Sequence, residues 1–144
     1  MANSQRSMSN RSPEPYSQSD FVRLLLAEFP ELSTEISEAE GLLHLQMHAF
    51  ARHMQRAKGA GEWSEYKRGV HLATELWTRA DAPLRGALDV SFLEHLDFDG
   101  PRGPEAWMRL TSELQHGWQA MRAYNEHLAG RAAPPRKKRR GQSR

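Results

Sequence analysis

STEISEAEGLLHLQMHAFARHMQRAKGAG, residues 33–61, decides the fold class. Its apolar positions Ile36, Ala39, Leu43, Met47, Phe50 and Met54 advance by threes and fours, the spacing of one helix face rather than of a strand. Glu35 suits a first turn. A cation at Lys58 followed by Gly59 and Gly61 is the usual helix ending. The stretch therefore predicts one long helix from near Ser33 to the glycines.

The same period extends outward in both directions. Upstream, Ser17 is an N-cap with Asp20 three residues on, and Tyr16 with Phe21 fits a hydrophobic staple. That first helix runs to Phe29, where Pro30 stops it. Downstream, a third helix from near Glu62 to Ala80 carries Trp63, Tyr66, Val70, Ala73 and Trp77 on one face. Asp81 caps a fourth, with Pro83 in its first turn and Leu84, Leu88, Phe92 and Leu96 inward, until 97–103 breaks the chain. Pro104 opens a fifth, whose stripe is Trp107, Leu110, Leu114, Trp118, Met121, Tyr124 and Leu128, ending at Gly130. No strand alternation occurs, so each stripe must be buried against another helix. An all-α domain of about five amphipathic helices follows, either an up-and-down bundle or a short stack of helical hairpins.

Charge divides the chain further. Residues 17–130 hold eleven Lys/Arg against seventeen Asp/Glu, a net of −6, whereas 131–144 hold seven Lys/Arg and no acid. The whole-chain total of +2 averages two opposites. The reading is a disordered leader over 1–15, a helical domain over 16–130 and a disordered basic tail over 131–144. The absence of cysteine excludes disulfides, thiolate zinc sites and a cysteine nucleophile. With neither a long apolar span nor a signal-peptide core, a cytoplasmic protein with no membrane contact is expected.

Candidate chemistry is sparse. Glu40, His44 and His48 recur every four residues, and two histidines one turn apart can ligate a divalent metal. Position 45 is Leu, however, so the acid of a zincin His-Glu-x-x-His is missing, and a hydrogen-bonded His44 with His48 nearer solvent is the expected arrangement. His71 or His95 completes a site only if packing brings it close. Ser91, Glu94 and His95 list the components of a nucleophile, an acid and a base, yet a serine inside a continuous helix has no oxyanion donors beside it. Trp63, Trp77, Trp107 and Trp118 lie on inward stripes and read as core anchors, not as a base-stacking platform. No catalytic residue, metal or cofactor is expected.

Three strings add a resemblance: FPEL at 29–32, GLLHLQM at 41–47 and ALDVSFLEHL at 87–96. Together they resemble a family of small, uncharacterised all-helical bacterial domains of unknown function. The resemblance implies a compact helical domain without an established activity, of a size and kind that includes immunity proteins which neutralise toxins.

The sequence thus points to a non-catalytic protein–protein interaction module, of an immunity or antitoxin-like type, whose acidic body meets an unidentified protein partner. Glu35, Glu38, Glu62 and Glu65, in the first turns of the second and third helices, are the expected contacts. The alternative is a nucleic-acid-associated protein tethered weakly through Arg136, Lys137, Lys138, Arg139 and Arg140.

Overall fold

The computed structural model describes residues 14–132, with side chains described to 130. The leader up to residue 13 and the basic cluster at 136–140 lie outside the described residues. Seven α-helices and no strand occur within that range. Helix α1 is Gln18–Glu28, α2 Ser33–Glu38, α3 Leu43–Ala60, α4 Trp63–Arg79, α5 Ala82–Ala87, α6 Gly103–Met108 and α7 Ser112–Ala132. A 3₁₀ turn at Pro30–Leu32 links α1 to α2, and a π-helical turn at Leu88–Phe92 followed by a 3₁₀ turn at Leu93–His95 continues α5.

Three of the predicted helices are broken. Residues 33–61 do not form one helix: α2 ends at Glu38, and Gly41 at φ +79° turns the chain before α3 begins. Left-handed backbone costs little only at glycine, so Gly41 supplies the break that an otherwise continuous apolar period concealed. The fourth helix changes register through the π turn, and the fifth divides at Arg109–Thr111, where the Thr111 hydroxyl accepts from the Leu114 N–H at 3.3 Å. Other signals act as expected. Ser17 and Asp20 form a reciprocal capping box, Asp81 caps α5 through the Leu84 N–H, and Gly61 closes α3 in left-handed geometry.

Helix α3 is the centre of the molecule, touching α1, α2, α4, α5 and the π turn. In a stack of hairpins each unit meets only its neighbours. Here α1 also reaches α4 and α5, and α4 reaches α7, which is the bundle alternative built around a central helix. Phe50 lies on the inner face of α3, its ring centroid 6.3 Å from those of Phe21 and Phe29 and 4.7 Å from that of Phe92. Tyr66, the largest fully buried side chain, donates its hydroxyl proton to the Ala106 carbonyl at 3.1 Å, and burial pushes the phenol well above its ordinary value. Lys58, placed by sequence at a helix end, is buried and donates to the Asp97 carbonyl, so the end of α3 is fastened to the loop before α6.

The four tryptophans pack at the margin of the core rather than within it. Guanidinium groups cover three of them: Arg109 over Trp63 at 4.8 Å, Arg85 over Trp77 at 3.7 Å and Arg122 over Trp118 at 5.2 Å. Trp107 and Trp118 meet edge-on with Phe98, closing the corner between α6 and α7. Tyr124 and Leu128 depart from the predicted stripe, at 62 % and 43 % exposure, because α7 runs on past its last buried residue, Met121.

Candidate functional site

The π turn shapes the most distinctive surface. Hydrogen bonds spanning five residues instead of four shift the register, so Ser91 turns inward beside Phe92 while Val90 is left 53 % exposed. Val90 and Asp89 form one wall of a cleft of about 450 Å³, and Met121, Tyr124 and Asn125 of α7 form the other. Glu94 is shared with a second, more polar cleft of about 310 Å³ that takes in Asp97, Asp99 and the Trp118–Arg122 stack. The two clefts adjoin at Glu94 and are together referred to as the trough, apolar at the Val90–Tyr124 end and acidic at the other. Burial pushes the Asp89 carboxyl above the ordinary carboxylate value, while Arg85 one turn before it pulls the other way.

Three histidines lie nearby, and one of them, His95, lines the second cleft. His44 of α3 sets its Nδ1 2.7 Å from the Ser91 Oγ, and the rings of His48 and His95 pack with centroids 4.2 Å apart. His44 is hydrogen-bonded as expected, but the expected exposures are reversed, His44 being exposed and His48 half-buried. Glu40, in the turn at Gly41, is off the helix that carries the two histidines. His44 and His48 therefore point to different partners and share no set of three metal-ligating groups among the described residues. His71 lies elsewhere, beside Leu24 and Glu75 on the face between α1 and α4.

The predicted acidic contacts divide. Glu35 is engaged by an ion pair with Arg52, and Glu65 is half-buried, accepting from His53 at 2.8 Å and Arg68 at 3.3 Å. Glu38 and Glu62 remain exposed. None of the four lines the trough.

The carboxylate–imidazole group around Glu65 is a second site that sequence reasoning passed over. The His53 Nε2 faces Glu65 Oε2 and, at 3.8 Å, Glu31 Oε2 of the 3₁₀ turn. The ring packs at a tilt against Phe29, centroids 4.5 Å apart, and the Nδ1 is buried without a hydrogen-bond partner. Arg68 closes the group from α4, donating to the Glu28 carboxylate at 2.6 Å and to the Glu28 carbonyl. The hydrogen bond and charge of Glu28 raise the Arg68 guanidinium above its ordinary value.

Residues 22–126 match the model of a family described as a domain of unknown function, DUF7674. The chain belongs to that family. The match covers all of α2 to α6, most of α1 and α7, and both DUF7674 features just described, the trough and the Glu31–His53–Glu65 group. No curated protein and no solved structure matches the chain significantly. No helix of the described residues is long and apolar enough to cross a membrane.

Proposed function

We propose that this DUF7674 domain is a non-catalytic protein-binding module, and that its trough takes a partner segment carrying both large apolar and cationic side chains. The observation that carries the reading is the pairing of exposed Val90 and Tyr124 with Asp89, Glu94, Asp97 and Asp99 in two clefts that share Glu94. Apolar contact supplies affinity, and complementary charge supplies orientation and rate. A partner cation near Asp89 would add to the pull of Arg85 toward the ionised carboxylate that burial disfavours. A basic toxin surface held by an immunity-type protein is one partner of this chemistry. His44 and Ser91 position the trough wall in this reading and carry no reaction.

Selection of a random peptide library on the full chain tests the proposal. The expected peptides combine Lys or Arg with Leu, Phe or Trp, and bind at least about tenfold more weakly to Tyr124→Ser. Enrichment of acidic or neutral peptides, or equal binding to that variant, would overturn it.

The seven basic residues of 131–144 favour a second reading, an electrostatic tether to nucleic acid. It predicts salt-sensitive, sequence-independent binding that vanishes on truncation after Gly130. Equal retention of DNA by full-length and truncated chains at low salt would rule it out.

A further inference from the structure

From the second site we infer that Glu31, His53 and Glu65 form a binding site for one divalent transition-metal ion of the zinc type. Two carboxylate oxygens from different elements converge on the same imidazole nitrogen, at 2.8 and 3.8 Å from Nε2, and the three ligand atoms all lie within 4.8 Å of one another. One Nε2 proton serves the nearer oxygen and leaves the farther beyond hydrogen-bond reach. A cation in place of that proton is within range of all three.

The surroundings point the same way. His53 is more than nine-tenths buried, and its polar partners among the described residues are these two carboxylates, since Nδ1 has none. A buried imidazole without a core hydrogen bond is held toward the cluster alone. Glu28, Glu31 and Glu65 set three negative charges against the single positive charge of Arg68, a local excess of two. That excess matches a divalent ion.

One imidazole with two carboxylates suits zinc and its first-row neighbours, whereas magnesium and calcium prefer all-oxygen sites. Coordination through Nε2 displaces the proton there: a neutral ring shifts it to Nδ1 with no net release, whereas an imidazolium, already protonated on Nδ1, gives it up to solvent. Because Nδ1 lacks the acceptor that usually tightens a metal-bound histidine, micromolar rather than nanomolar affinity is expected. Arg68 occupies the second oxygen of Glu65 and competes with the ion.

Calorimetric titration of chelator-stripped full-length protein with zinc chloride tests the inference, with cobalt(II) absorption as an independent report of ligand geometry. One ion per chain is expected, with binding weakened at least about tenfold by Glu31→Gln, a change at a side chain 54 % exposed and therefore tolerated by the fold. Arg68→Gln is expected to tighten binding by freeing Glu65, an effect opposite in sign to simple loss of structure. Absence of binding at 100 μM zinc, on the order of a hundredfold above the expected constant, would overturn the site. So would zinc binding unchanged by Glu31→Gln, which would place the ion on other histidines.

Discussion

The side of the molecule built from α1 to α4 and the side built from Ala82 onward solve the same burial problem differently. On the first, three long helices joined through the short α2 and its 3₁₀ turn carry Phe21, Phe29, Phe50 and Tyr66, all fully buried. On the second, six-residue helices, a π turn, a 3₁₀ turn and an overhanging α7 carry the chain, and four of the six exposed large apolar residues fall there: Val90, Met108, Tyr124 and Leu128. Regular hydrogen bonding closes a core on itself, while interrupted helices redirect side chains outward and leave concave surface between elements. The first side serves stability and the second presents a surface.

Substitutions can break that contrast, beginning with the largest effect. Phe50→Ala removes the ring shared by Phe21, Phe29 and Phe92 and is expected to cost about 3–5 kcal/mol, read from the midpoint of denaturant unfolding. Gly103→Ala comes next. A Cβ there would stand 1.7 Å from the Phe98 carbonyl oxygen, a backbone atom with no easy retreat, and a loss of about 2 kcal/mol or more is expected. Ser17→Ala opens the capping box of α1 at about 1 kcal/mol. Tyr124→Ser should leave stability within about 0.5 kcal/mol of the parent while abolishing most peptide binding. If Tyr124→Ser unfolded the domain instead, the overhang would belong to the core and the division of labour would fail.

Two carboxylates sharpen the comparison through pH. The Asp20 carboxyl is held below its ordinary value of 3.8 by the Ser17 backbone N–H and by Arg23. Its stabilising contribution is therefore complete above that value and is lost as pH falls through the lower folded value. Asp89 on the trough behaves oppositely: its raised carboxyl makes ionisation in the folded state unfavourable, so stability declines as pH rises from the ordinary 3.8 through the folded value. Asp89→Asn should raise the unfolding midpoint slightly at pH 7, lose that advantage in acid, and weaken binding of cationic peptides. Parallel denaturation series over this pH interval distinguish the two directions.

The all-α class, both side-chain caps and the inward set Leu84, Leu88, Phe92 and Leu96 were legible because cap chemistry and apolar period are local properties of the chain. The helix breaks were not. At Gly41 the flanking Ala39 and Leu43 preserve the period, and a π turn adds one residue to a segment too short for the shift to register against a 3.6-residue repeat. Thr111-Ser112-Glu113 did carry a start signal, hidden beneath a stripe that continued across it. Neither site could be read locally. Glu31, His53 and Glu65 come from three elements, and His44 meets Ser91 only after α3 packs on the π turn. The acidic contacts were assigned from net charge alone, which does not reveal that Arg52 and Arg68 already engage Glu35 and Glu65.

The last turns of α7 have an evolutionary consequence. Beyond Met121 every described side chain is exposed apart from Asn125, so the residues that would choose a partner can change while the folding problem stays solved. Within the family, sequences are expected to diverge faster along Tyr124–Glu126 than around Phe50, which under the proposed function would let one scaffold take different partners by surface substitution.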